Sequence, residues 1–308
     1  MFNNRFSFPF RVDIEMNFEW FQKHSSLIKE IYISPDIFNI NMNPMNGKEN
    51  FKYNLPEYIK FFNDLKSIDI GVCLVINNIF NPPDLNTIKR LIKKYDFITS
   101  VVVPDHSWLS LKELNIEIKN TVIMNPSFDD ILLGKYNDFD IIYIHDDIIH
   151  NKNKYKELKR TGLKFGTVVN YSDCCTFCNK KQEHYKLINN KKYNYNTFCP
   201  TKMWSQHELL MKRNSIPTIR SEYQYYLDTI DIFKLQGRGV TETFNSAINI
   251  IEGISSNQNI FTEEYFNLIR FLGNDYKEWV HEVRNCGGNC LKCNFCDNII
   301  KKRLDGRQ

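Results

Sequence analysis

No stretch of this chain approaches the ~20 consecutive apolar residues that a membrane span needs. The opening residues, MFNNRFSFPFRVDIEM, hold neither a long apolar core nor a small-residue cleavage site. These absences predict a cytoplasmic protein with no membrane span. An excess of one charge is lacking too: 40 Lys and Arg against 36 Asp and Glu leave a net charge of +4, so nothing demands a polyanionic partner. Low-complexity linkers and short-period repeats are absent. So are the familiar hydrolase signatures, because no H-E-x-x-H and no Ser, His and Asp arrangement supplies a protease nucleophile. What is present is a chain of 308 residues, 42% hydrophobic, with 23 Phe and 16 Tyr, enough to fill the core of one large α/β domain.

Strand-like and helix-like stretches alternate along it. Ile28 onward (IKEIYISPDIFNI) reads as a strand that breaks at Ser34 and Pro35, Glu57 to Ser67 has apolar residues at helical spacing, and Ile68 to Ile76 is a second strand. The pattern returns with a helix from Leu85 to Lys94 and strands at Phe97 to Val103, Thr121 to Met124, Phe139 to Ile144, Leu163 to Val169, Pro217 to Arg220 and Ile230 to Leu235. A helix is expected at Gln206 to Arg213, and two more at Thr241 to Gly253 and Glu263 to Leu272. Repeated strand, helix, strand units imply a parallel sheet, and seven or eight of them favour a TIM-type (β/α) barrel over an open doubly wound sheet. The expected organisation is a barrel over residues 1–272, with a cysteine-bearing insertion at 170–200, followed by a cysteine-rich segment over 273–308.

Eight of the nine cysteines fall in two short windows: Cys174, Cys175, Cys178 and Cys199, then Cys286, Cys290, Cys293 and Cys296. Thiolates gathered so closely repel one another unless a soft metal or an iron-sulfur cluster holds them. In a reducing compartment such spacing points to ligands before disulfides. Cys175 and Cys178 have C-x2-C spacing; Cys174 is an awkward neighbour, and the first set is either all four residues or three with a ligand from elsewhere. The tail run, C-x3-C-x2-C-x2-C, is too compact for two separated zinc knuckles and is closer to the runs that wrap a 4Fe-4S cluster, with structural zinc as the alternative. Its first three cysteines also match the short signature of radical S-adenosylmethionine enzymes, although the position in the chain does not. Cys73, inside GVCLVI, reads as a small buried core residue.

Polar residues at strand ends would share one mouth of a closed barrel. His145, Asp146 and Asp147 follow one strand and can act as acid, base or ligand, or as a helix cap. Asp105 and His106 follow another in the same manner. Lys234 and Arg238 can bind an anionic or carbonyl group or form a buried ion pair, and Gly237 permits close backbone approach.

The stretch LDTIDIFKLQGRG, with the cysteines upstream, resembles the collagenase-like peptidase family U32, in which a barrel strand ends in Lys-Ile-Glu-Gly-Arg. The matching residues are Lys234, Leu235, Gln236, Gly237 and Arg238, with Gln236 standing where the signature has glutamate. Cys175, Cys178 and Cys199 lie where members carry cysteines. The resemblance implies that, despite the peptidase label, the chain holds one or two 4Fe-4S clusters and supports oxygen-independent, hydroxylation-like modification of an RNA base, a quinone precursor or a peptide, with a partner protein of the same family. The compact tail cluster is outside that pattern. Catalytic candidates are His145, Asp147, Lys234 and Arg238. The alternatives are a peptidase, a radical S-adenosylmethionine enzyme and a zinc-stabilised binding protein without catalysis.

Overall fold

The computed structural model describes residues 5–15, 17–38, 40, 51–76, 82–121, 124, 126–144, 148, 151–169, 230–237, 241–256, 263–283 and 293–306. Within them lie eight strands: β1 (Phe6–Pro9), β2 (Ile28–Ile33), β3 (Gly71–Val75), β4 (Ile98–Val103), β5 (Glu117–Asn120), β6 (Ile142–Tyr143), β7 (Phe165–Val168) and β8 (Ile232–Lys234). All pair in parallel, in the order β5-β4-β3-β2-β1-β8-β7-β6. A parallel bridge between Lys119 and Ile141 brings the two ends together. The sheet is therefore a nearly closed TIM-type barrel.

Nearly every strand residue is buried on both faces, as parallel strands under helices require. Two apolar clusters separate cleanly. Phe8, Ile31, Leu74, Val101, Ile118 and Phe233 face outward into the main core, which they share with the helices. Tyr32, Cys73, Val75, Val102, Ile141, Tyr143 and Ile232 form a second cluster from the alternate positions, inside the barrel. Cys73 is buried there, as expected of a core residue.

The helices begin where the caps allow. In α1 (Phe18–His24) the Asn17 side chain accepts from Trp20 N. A full capping box between Asn54 and Glu57, with Pro56 in the first turn, starts α2 (Leu55–Lys66). Asp84 caps α3 (Leu85–Lys94), Ser127 caps α4 (Phe128–Leu132) and Asn151 caps α5 (Lys152–Lys159). After β8 comes α6 (Thr241–Ser255), which packs against β1 and α1. The chain continues into α7 (Glu263–Leu272), a 3-10 turn (Gly273–Asp275), α8 (Tyr276–Val283) and α9 (Phe295–Asp305). Leu268, Phe271, Leu272, Trp279, Ile299 and Ile300 form an apolar cluster distinct from the main core, and Asp275 ties it to α9 through Lys302 (3.0 Å) and Arg303 (2.6 Å).

One expected strand is corrected, and one strand and one helix were not expected. The fifth strand is Glu117–Asn120, ending before the Thr121 to Met124 run that looked more apolar. Its inward residues are Glu117 and Lys119, whose charges disguise a buried strand. The first strand, Phe6–Pro9, and the helix Phe18–His24 had no counterpart in the sequence reading, because a proline interrupts the alternating FSFPF pattern. The strand at Pro217 to Arg220 and the helix at Gln206 to Arg213 lie outside the described residues.

The seam between β5 and β6 is stitched largely by side chains. Asp140 N donates to Ile118 O (2.9 Å), and the Asp140 carboxylate accepts from Ile118 N (2.7 Å). Asn120, fully buried, acts as a substitute peptide: its amide oxygen accepts from Tyr143 N (2.5 Å) and its amide nitrogen donates to Tyr143 O (3.3 Å). Closure thus rests on buried polar groups that are satisfied in pairs.

Candidate active site at the C-terminal mouth of the barrel

Inside the barrel, the layer nearer the N-terminal ends is ionic. Lys119 donates to both carboxylate oxygens of Glu30 (2.6 and 2.5 Å), and Ser100 donates to Glu30 as well (2.6 Å). Glu117 lies 3.1 Å from Lys119 and 2.7 Å from Lys29. Both Lys119 and Glu30 are fully buried. Burial alone would raise the Glu30 carboxyl, but the Lys119 charge and the hydrogen bonds from Lys119 and Ser100 outweigh it and hold the group at about 2. Burial likewise opposes charge on Lys119, yet Glu30 raises it well above the usual lysine range. Both groups are therefore permanently charged near neutrality, so the pair is an ionic strut and not a proton relay.

One layer toward the C-terminal ends sits an aromatic and cationic group. Lys234, at the end of β8, places its ammonium 4.6 Å from the Tyr32 ring centroid and 5.5 Å from that of Tyr143, within cation–π range of both. The Tyr32 hydroxyl donates to Leu235 O (2.6 Å). The Tyr143 ring lies over Gly166, where an added Cβ would come within 2.7 Å of it. Burial raises the Tyr143 phenol well above its ordinary value, so it stays protonated. Burial first, then the Glu30 charge, pushes the Cys73 thiol up to about 11, which makes it an inert wall residue.

Of the candidate catalytic residues, Lys234 is the one within the described set; His145, Asp147 and Arg238 lie outside it, as does Asp146. Their strands are nonetheless neighbours: β6, β7 and β8 are adjacent and parallel, so the segments that follow them all leave from the C-terminal end of the barrel. Asp105 and His106 have structural roles. Asp105 accepts from Ser107 N (2.7 Å) as a cap, and His106 Nε2 lies 2.7 Å from Lys135 O with its ring against Tyr136 and Phe139.

Cys174, Cys175, Cys178, Cys199, Cys286 and Cys290 lie outside the described residues. Cys293 is exposed and Cys296 half-buried, flanking the start of α9, where Asn294 makes no side-chain cap bond. By type and spacing these two thiols suit a soft metal. Among the described residues no group of three or more His, Cys, Asp or Glu is arranged to hold a metal ion. None of the described helices is long and apolar enough to cross a membrane.

Among the described residues, two cavities flank the barrel, and neither is lined by a candidate residue. One, of about 450 Å³, opens at the N-terminal mouth between Arg5, Lys29, Glu117, Lys164 and Asp231; the other, about 250 Å³, lies between β1, α1 and α6 against Trp20 and Phe244. Sequence reasoning missed Glu30, Lys119, Tyr32 and Tyr143. The available signal was a Lys and a Glu together in each of two short stretches with β-branched residues, IKEIYI and EIKN.

No protein family profile and no curated protein matches the chain. Among solved structures, the U32 peptidase Mk0906 aligns with 76% of this chain and 93% of its own at 11% identity and a TM-score of 0.48. A noncanonic maltogenic alpha-amylase, AmyB from Thermotoga neapolitana, aligns with 84% of this chain and 78% of its own at 11% identity and a TM-score of 0.38.

Proposed function

We propose that the chain is a barrel enzyme whose cysteines hold an iron-sulfur cluster near the C-terminal mouth and which carries out oxygen-independent redox modification of an RNA base, a quinone precursor or a peptide. One observation carries the reading. Val169, the last described residue before the first cysteine window, donates its N–H to the carbonyl of Lys234 (3.0 Å). Cys174 follows five residues later, and five extended residues span at most about 18 Å. The chain thus enters the first cysteine window from the end of the barrel where Lys234 lies, which supports a cysteine site at that mouth, where barrel enzymes assemble their sites.

A cluster bound there would supply single electrons. The protein's own groups do the rest. Lys234 and Arg238 hold an anionic or carbonyl oxygen of the substrate, and His145 or Asp147 moves protons at that oxygen or its neighbour. The apolar lumen formed by Tyr32, Val75, Val102 and Tyr143 keeps water from beneath the site.

Anaerobic purification followed by metal and sulfide analysis tests the reading. Brown protein with iron and acid-labile sulfide is the expected result, with iron falling by a comparable share in Cys175→Ala, Cys178→Ala and Cys199→Ala. Colourless protein containing zinc would replace it with the zinc-stabilised binding protein, and unchanged iron in all three variants would exclude this window as the ligand set.

A further inference from the structure

The cavity between β1, α1 and α6, about 250 Å³, lies outside the barrel wall and is walled by rings. Phe8 lines it from β1, with its ring centroid 5.0 Å from that of Trp20, 5.7 Å from Phe21 and 5.6 Å from Phe244. Phe8, Phe21 and Phe244 are buried, so this part of the wall is fixed by the main core. Trp20, Ile14 and Ile248 line the same space and are half-buried, which leaves the cavity open along an apolar edge. Its size suits one ring with a small substituent, since sites for larger ligands begin near roughly 300 Å³.

The charge left unmatched on its rim is negative. Arg11 lines the cavity too, but its guanidinium donates to both carboxylate oxygens of Asp13 (2.9 and 2.5 Å) and to Thr241 Oγ1 (3.0 Å), so its charge is answered. Glu15 is exposed, with Lys52 3.8 Å away. Glu252 accepts from Trp20 Nε1 (3.0 Å), which holds the carboxylate against the indole, and among the described residues no cation pairs with it. His24 feels the Glu252 charge, but burial first and then Lys23 hold its imidazole below the usual histidine value, so it adds no charge near neutrality. Ring faces attract cations, and a carboxylate beside them supplies the counter-charge.

We propose that this cavity binds a small organic cation, a quaternary or alkylated ammonium carried on one ring, with its charge beside Glu252 and the face of Trp20. The ring of the ligand fills the space among Phe8, Phe21 and Phe244. An alkylated cation suits the place, because a bare ammonium would give up hydrogen bonds to water that ring faces do not replace. An anion would meet Glu252 and Glu15 and find Arg11 already engaged by Asp13. The site lies on the outer side of β1, so it is independent of what the cysteines hold and of the chemistry proposed at the mouth.

The test is calorimetric titration of the full chain at neutral pH with benzyltrimethylammonium, with benzyl alcohol as the neutral and benzoate as the anionic comparison. The cation should bind saturably and about threefold or more tighter than either, the ratio that cation–π contacts give at a partly exposed site. Glu252→Gln keeps an acceptor for Trp20 Nε1 and removes the charge, so it should weaken the cation by about threefold and leave benzyl alcohol unchanged. Tryptophan emission should change as the parent is titrated, and Trp20→Phe should abolish that change, which assigns the ligand to this cavity. Absence of saturable binding overturns the proposal, as does a benzoate or benzyl alcohol affinity equal to that of the cation. An unaltered affinity in Glu252→Gln, or an emission change that survives in Trp20→Phe, overturns it as well. Should either variant fail to fold, the ratio among the three ligands on the parent decides.

Discussion

Removing Lys119 should expose how far the barrel depends on its buried ion pair. In Lys119→Met the methionine keeps roughly the stem of the lysine, but Glu30 loses the cation that lies 2.5 Å away and is left in a fully buried site with Ser100 as its hydrogen-bond donor. Breaking a buried pair from one side typically costs about 3–5 kcal/mol. The pH dependence gives an independent figure, since holding a carboxyl at about 2 in place of 4.5 corresponds to about 3 kcal/mol of stability near neutrality. The two agree. Because the folded Glu30 value lies below the unfolded one, that stability is complete above pH 4.5 and is lost as pH falls toward 2. In Lys119→Met the largest influence opposing burial is gone, leaving the Ser100 hydrogen bond and the Lys29 charge against it, so the Glu30 value is expected to rise above 4.5 and its sign to reverse: the folded state gains as pH falls. The variant's deficit should therefore be largest at pH 7 and shrink toward pH 4. Thermal unfolding followed by circular dichroism at both pH values reads this, with a midpoint drop on the order of 10 °C at pH 7. Replacing both partners with apolar residues, Glu30→Met with Lys119→Met, should recover most of the loss. A deficit below about 1 kcal/mol, one that is equal at both pH values, or a double variant no better than the single would refute the reasoning.

Asn120→Ala leaves the buried N–H and C=O of Tyr143 without partners at the β5–β6 seam, and should cost about 2–4 kcal/mol in urea unfolding. Gly166→Ala puts a methyl 2.7 Å from a fully buried ring and should cost about 1–3 kcal/mol, whereas Gly71→Ala meets the exposed side chain of Thr99, whose hydroxyl can rotate away although its Cβ stays 3.0 Å from the methyl, and should cost less. Equal losses in the two glycine variants would show that the Tyr143 ring is free to move. Truncation after Ser256 should leave a soluble barrel on size-exclusion chromatography, while truncation after Leu272 should aggregate, because it strips Trp279, Ile299 and Ile300 from Leu268, Phe271 and Leu272. If the cysteine windows bind separately, the shorter chain keeps its first metal and loses the second.

What the sequence revealed of the fold depended on whether a strand's inward face was apolar. β3 and β4 read as GVCLV and ITSVVV, and both were legible to within a few residues. α3 and α7 were read to their observed bounds from periodicity. β5 was displaced because its inward positions hold Glu117 and Lys119, and periodicity cannot distinguish a buried ion from a solvated one. Its partner Glu30 is 89 residues away, so no local window contains both halves of the pair. The same limit hid Tyr143 and Tyr32: aromatic residues abound in this chain, and only the parallel register of β6, β7 and β8 brings Tyr143 beside Lys234. Lys234 was legible because a signature marked it. The residues that shape its surroundings carry no such mark.

The interior order of the barrel has a chemical consequence. Two carboxylates and two ammonium groups fill the layer nearer the N-terminal ends, and opposite charges 2.5 to 3.1 Å apart present to the mouth only the short-range field of dipoles. Cys73, Tyr32 and Tyr143 add no charge above that layer, since burial keeps the thiol and the Tyr143 phenol protonated. Lys234, one layer further toward the C-terminal ends, has two ring faces within cation–π range of its ammonium. One barrel interior thus surrounds Lys119 with carboxylates, which fix its charge at depth, and sets ring faces against Lys234 nearer the mouth.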